Sequence, residues 1–171
     1  WNLESSGFRN WLSYMYFLET HGAPSETALK AAFGTLLGQA RYEGAEKPVF
    51  RRVAKDGEAL WIDLCDEEWK AIKVLPGSWE VVEDPPVMFV RSPTMTHLPI
   101  PSEKGDIDPL WSLINIPEEE RILLLCWMLE CFRVGTPYVV LELVGEQGSA
   151  KSKTQDVLRD FVDPNQVNLR A

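Results

Sequence analysis

Histidine is nearly missing from this chain, cysteine is sparse, and positive charge is outnumbered. The two histidines, His21 and His97, stand far apart. Metal ligands come in spaced sets, so both read as loop or surface residues. The three cysteines, Cys65, Cys126 and Cys131, show no zinc spacing, and the last two fall inside an apolar helical pattern as reduced core residues. Cysteine used in that way points to a cytoplasmic protein. No apolar run reaches the ~20 residues a membrane-spanning helix needs, and nothing resembles a signal peptide, so no membrane partner is expected. Seventeen basic against 26 acidic residues leave a net charge of −9, spread over both halves of the chain. An acidic surface repels phosphate backbones, which disfavours generic nucleic-acid binding but leaves local patches open.

Against that background one stretch carries recognisable chemistry. Tyr138 to Asp163, YVVLELVGEQGSAKSKTQDVLRDFVD, reads as a buried β-strand (Tyr138 to Val144), a loop (Gly145 to Ala150) and a helix beginning near Lys151. The loop fits the Walker A pattern at Gly145, Lys151 and Ser152, with Ala150 where the second fixed glycine usually stands. Backbone N–H groups leading into a helix N-terminus hold a polyphosphate well, because unpaired donors and the macrodipole both favour an anion. Gly145, Glu146, Gln147, Gly148, Ser149 and Ala150 are expected to wrap the phosphates through their backbone. Lys151 would reach the β- and γ-phosphates as a point charge, the nearest thing to a catalytic residue here. The Ser152 hydroxyl would complete the shell of Mg²⁺. Ala150 implies helical rather than left-handed dihedrals at its position. The plainer alternative is a glycine-rich turn with a solvated lysine.

The compact form Gly145, Gly148, Ala150, Lys151, Ser152 resembles the Walker A loops of AAA+ ATPases of the minichromosome-maintenance helicase kind, which also tolerate alanine before the lysine. More of the chain, VGEQGSAKSKTQDVLRDFVDPNQVNLR, is similar to the loop of ATP-binding proteins of bacterial genomes and mobile elements, related to phage and plasmid primase–helicases of AAA+ and superfamily-three type. The runs RYEGAEKPVFRRVAKDGEALWIDLCDEEWKAIKV and GSWEVVEDPPVMFVR are similar to the region upstream of that family's ATPase core. The resemblance spans about three-quarters of the chain. It implies ATP and Mg²⁺ as cofactors, DNA replication or remodelling as the coupled process through the full-length protein, and a homo-oligomeric ring in which a neighbour completes each site.

The rest of the chain sorts into a helical and a strand-rich part. Ser5 to Glu19 has helical periodicity, with Phe8, Trp11, Leu12, Met15 and Leu18 on one stripe, and His21-Gly22 ends it. A second helix starts after Ser25, a good N-cap, with Leu29, Phe33, Leu36, Leu37 and Ala40 inward. From Pro48 to Ser92 the period becomes two, and five short strands form an antiparallel meander (49–53, 59–64, 69–74, 79–82, 87–91). Trp61, Trp69 and Trp79 either fill its core or form a platform for bases or a peptide, with Arg51, Arg52 and Arg91 supplying charge. Leu60 to Glu67 imitates a Walker B strand, but it precedes the loop, and Asp63 reads as an outward strand residue, Asp66 as a turn residue. Thr94 to Asp108, rich in Pro, Ser and Gly, reads as a linker. After a short helix near Pro109, a helix from Pro117 to about Arg133 opens with Glu118, Glu119 and Glu120, is apolar nearly all round, and should be buried on most sides, with Gly135 as its cap.

The expected architecture is thus α+β: a helical hairpin plus antiparallel meander (1–93), a linker (94–108), and the opening strand, loop and helix of a P-loop α/β ATPase domain (109–171). ATP hydrolysis needs a second acidic strand, a polar sensor and an arginine, and the few residues after Asp163 cannot hold them. The chain therefore reads as a portion of a longer protein, binding nucleotide weakly and hydrolysing little. Two rival readings remain: a protein- or single-stranded-DNA-interaction module that contains only the start of an ATPase, and a small-molecule kinase on the same loop.

Overall fold

The computed structural model describes residues 3–167; Trp1, Asn2 and residues 168–171, the last part of the stretch expected to belong to the ATPase portion, lie outside it. The chain divides into two compact units, Trp1–Lys47 and Pro48–Ala171. The division falls at Pro48, ahead of the meander, and not in the 94–108 stretch.

The first unit consists of α1 (Ser6–Thr20) and α2 (Glu26–Tyr42). Both start as their sequences direct: the Ser5 Oγ accepts from the Phe8 amide, and the Ser25 Oγ from the Ala28 amide. His21 closes α1 in the left-handed region at φ 54°. The helices meet near the start of α1, where Phe8 lies 6.4 Å from Phe33 between ring centroids and Arg9 bridges to Glu26. Phe8 and Leu29 are the buried apolar residues of this unit among those described.

The second unit holds a four-stranded antiparallel sheet in the order β2 (Val53–Asp56), β3 (Ala59–Asp63), β4 (Ala71–Leu75), β5 (Ser78–Val82). The first expected strand is split: β1 (Val49–Phe50) leaves the meander and pairs in parallel with β6 (Met88–Phe89). That corrects the five-strand antiparallel reading. Phe50 and Phe89 thereby fold over the sheet onto Ala54, Ala59, Trp61 and Ala71, a core with small residues under one large indole. Alternation of buried and half-buried residues along β3 is the period-two signature that made the meander legible.

A second core gathers α3 (Asp108–Leu113), α4 (Arg121–Glu130) and α5 (Lys151–Val162) around Leu110, Ile114, Leu124, Met128 and Leu158. Pro117 and the acidic triplet open α4 through a 3-10 turn at Glu118–Glu120. The helix ends at Glu130, short of Arg133, and Gly135, at φ 78°, lies beyond its cap. Expected burial fails here: Ile122, Leu123 and Leu129 are 65–70% exposed and Cys126 is exposed. Leu124 and Met128, with half-buried Leu125 and Trp127 beside them, meet the core, while Ile122, Leu123, Cys126 and Leu129 face away from it.

Candidate functional site

The two cores of the second unit are stitched together by one arginine. Arg52 is buried; its Nε donates to Asp163 at the end of α5 (2.9 Å), its Nη1 to the Asp63 carbonyl (3.1 Å), and its Nη2 to the carbonyls of Thr96 (3.0 Å) and Pro164 (3.3 Å). Backbone bonds from Thr96 to Pro164 and from Gln166 to Thr94, both 2.8–3.1 Å, run alongside. Thr94 and Thr96 are thereby fastened to the segment after α5 and the Leu98 amide to the Leu64 carbonyl (2.8 Å), so residues 94–98 are not a free linker.

Asp63, expected to face outward, is fully buried. Its two oxygens accept from Arg91 Nε (2.8 Å) and Nη2 (2.6 Å), a bidentate pair, and Oδ1 accepts from the Cys65 amide (3.0 Å). The Arg91 guanidinium stacks 3.9 Å over the Trp69 ring. With Trp61 in the core and Arg52 and Arg91 engaged inside the fold, Arg51 is the one exposed arginine of the three proposed for a stacking platform. The same geometry sets Leu60 to Glu67 apart from a Walker B strand, because β3 lies in the antiparallel meander.

Residues 138–150 are organised differently. Tyr138 to Val144 has no regular secondary structure and joins no strand ladder among the described residues, and Tyr138, Val139, Val140 and Val144 are 60–88% exposed. The buried strand of a parallel sheet expected here is not formed; the indole of Trp127 donates to the Val139 carbonyl at 2.9 Å. Burial of an extended segment on both faces needs flanking strands, and none is present among the described residues.

The loop that follows is compact. The Ser149 amide donates to the Glu146 carbonyl at 3.3 Å, and the Lys151 ammonium crosses the loop to the carbonyls of Gly145 (2.8 Å) and Glu146 (2.7 Å) and to Ser149 Oγ (3.2 Å). Gly148 has φ 87°, and a Cβ built on Gly145 would come within 2.8 Å of Ser149 Oγ, so both glycines do conformational work that a larger residue would disturb. Ala150 is left-handed, φ 60° and ψ 24°, where helical dihedrals were expected. Its position is thus one that glycine suits, and alanine holds it under strain. Lys151 then opens the 12-residue α5.

Ser152 is exposed in the first turn, and Glu146, Gln147 and Gly148 are exposed along the loop. Two clefts flank the extended segment. One of about 500 Å³ is lined by Asn115, Glu120, Glu142, Ser149, Lys151 and Thr154 among others, and one of about 650 Å³ by Glu142, Lys151, Ser152, Gln155, Arg159 and Asp163. Lys151 borders both. No set of three or more His, Cys, Asp or Glu side chains stands ready for a metal among the described residues. A hydroxyl such as that of Ser152 can still serve Mg²⁺ that brings phosphates and waters with it.

Sequence reading overlooked the residue that braces the loop. Asn115 donates from Nδ2 to the Ser149 carbonyl (3.2 Å) and from its amide to Thr154 Oγ1 (3.4 Å), and Thr154 is buried at 2% exposure. A threonine sharing the α5 stripe with Leu158, four residues on, was the available signal, since a buried hydroxyl needs a partner. Comparison of the chain with protein-family models, with curated proteins and with solved structures returns no match.

Proposed function

We propose that residues 145–152 form a phosphate-binding loop and that the chain is the ATP-binding portion of a P-loop NTPase of helicase-like kind, serving DNA replication or remodelling of a mobile element. The observation that carries the reading is Lys151, whose ammonium straps the loop to its own first carbonyls while the chain turns through left-handed Gly148 and Ala150 into a helix. With the Ser149 amide engaged by the Glu146 carbonyl and the Lys151 ammonium on the carbonyls of Gly145 and Glu146, the other loop amides and the first amides of α5 remain as the donors available to a polyphosphate among the described residues. An incoming phosphate would take over the ammonium's longest contact, that to Ser149 Oγ at 3.2 Å.

Glu120 and Glu142 share the cleft with Lys151, so a bare triphosphate meets more negative than positive charge there. Binding then depends on Mg²⁺, with Ser152 as its protein ligand. Bound Mg²⁺ would neutralise the phosphates; the chain's own part is to orient them through Lys151 and the loop backbone. Completion of each site by a neighbour in a homo-oligomeric ring, a cytoplasmic setting and contact with DNA through the full-length protein belong to the same proposal.

The test is calorimetric titration of the chain with ATP at millimolar concentration, with and without Mg²⁺, against Lys151→Ala. The expected result is Mg²⁺-dependent binding weakened about 10- to 100-fold by the substitution, the worth of a charge-assisted contact. Absence of binding, or binding indifferent to Lys151→Ala, overturns the reading.

A further inference from the structure

Asn115 stands where α5 could begin one residue earlier than it does. The Lys153 amide lies four residues after the Ser149 carbonyl, the spacing of one helical hydrogen bond. That bond is not made. The Ser149 carbonyl accepts from Asn115 Nδ2 at 3.2 Å instead, and the first bond of the helix runs from the Thr154 amide to the Ala150 carbonyl at 2.9 Å. Among the described residues the amides of Ala150, Lys151, Ser152 and Lys153 therefore have no acceptor.

Left-handed Ala150 is the other half of the arrangement. Its φ orients the Ser149–Ala150 peptide against the helix, and at φ 60° the Ser149 carbonyl is turned out of line with Lys153. An L-residue favours helical dihedrals over these by roughly tenfold, and with them α5 would extend backward by one residue and take up the Lys153 amide. Such strain persists only where the surroundings over-determine it. Ser149 is held at three points: its amide donates to the Glu146 carbonyl (3.3 Å), its Oγ accepts from Lys151 (3.2 Å), and its carbonyl accepts from Asn115. Of these, the Asn115 contact alone acts on the carbonyl that α5 would reclaim. Asn115 is fixed in turn, because its backbone amide donates to Oγ1 of buried Thr154 (3.4 Å), one turn into the same helix.

We infer that Asn115 is a positioning residue: it withholds the Ser149 carbonyl from α5, keeps Ala150 left-handed, and so leaves the amides from Ala150 to Lys153 open. On the reading of residues 145–152 as a phosphate-binding loop, which this inference deepens, those amides are donors to the bound polyphosphate. Asn115 is exposed, so Asn115→Ala should fold. In the isotope-labelled chain without nucleotide, NMR should show water exchange of the Lys153 amide slowed about tenfold by Asn115→Ala, because the freed Ser149 carbonyl takes that amide up. Loss of a merely structural brace would leave the exchange unchanged or speed it. Affinity for ATP with Mg²⁺ should fall about 3- to 10-fold, the worth of one hydrogen bond. Ala150→Gly removes the pull toward helical dihedrals, so adding it to Asn115→Ala should return Lys153 to fast exchange and restore most of the affinity. Unchanged or faster exchange at Lys153 in Asn115→Ala overturns the inference, as does ATP binding that Lys151→Ala weakens and Asn115→Ala does not. Slowed exchange in a chain that binds no ATP would support the control of the helix start and overturn the phosphate reading alone.

Discussion

Two parts of the second unit treat polar groups in opposite ways. In the meander, Arg52 and Arg91 make seven hydrogen bonds between them to carboxylates and carbonyls, and Asp63 is enclosed completely. In the arm from Tyr138 to Ala150, the Trp127 indole donates to the backbone at Val139, Leu141 packs against the helical core, and Val139, Val140 and Val144 stand in solvent. The first region is over-determined, because every charge that left water found several partners. The second is held at fewer points, by Trp127 at Val139, by Leu141 against the helical core, and by Asn115 and Lys151 at the loop. The loop at 145–150 thus lies in the loosely held part of the unit, whereas the arginine network fastens the end of the α5 helix that follows it.

The largest effect should come from the meander. Asp63→Ala leaves the half-buried Arg91 guanidinium without its carboxylate and the Cys65 amide without its acceptor, and loss of one partner of a largely buried pair costs up to about 3–5 kcal/mol. Thermal unfolding should move down by roughly 10 °C or more. Val140→Ala, 88% exposed in the arm, should change stability by less than ~0.5 kcal/mol. Comparable losses from the two substitutions would break the contrast, since the arm would then be packed against something.

Legibility followed the same divide. The meander and the helix starts were readable because local rules decide them: periodicity begins at Ser5, Ser25 caps, Pro117 with three glutamates opens a turn, and alternation marks β3. Long-range polar pairing was not readable. Nothing local says that Asp63 turns inward, since its partner Arg91 lies 28 residues away and Asp163 meets Arg52 across 111. Strand character at Tyr138 to Val144 was visible in composition, but a ladder needs neighbours that no local pattern supplies. The loop's residues were found by spacing, whereas its brace Asn115 sits 34 residues from Ser149 and carries no motif.

A smaller effect sharpens the comparison at the loop itself. Ala150 has φ 60°, which an L-residue with a Cβ adopts at a cost of about 1 kcal/mol. Ala150→Gly should therefore stabilise the chain by somewhat less than that, because glycine also gains freedom when unfolded. Chemical denaturation would measure it. A loss of stability instead would mean that the left-handed turn is not held in solution, and the loop would belong with the freely moving part of the arm.

The gentlest probe uses the thiols. Burial pushes both Cys65, beside Asp63 in the meander, and Cys131, at the end of α4, above the ordinary thiol range. The thiolate is the reactive form, so at pH 8 both should alkylate more slowly than free cysteine and speed up as pH rises toward their raised values. Their shared cause predicts similar rates in the native state. Low denaturant should separate them. Cys131 borders a cleft shared with Tyr138 and Gly135, so opening of the arm exposes it, whereas Cys65 is released only when the Asp63 and Arg91 pair comes apart. Iodoacetamide labelling at sub-denaturing urea, read by mass spectrometry, should modify Cys131 well before Cys65. Simultaneous labelling would show that the arm and the meander open as one cooperative unit.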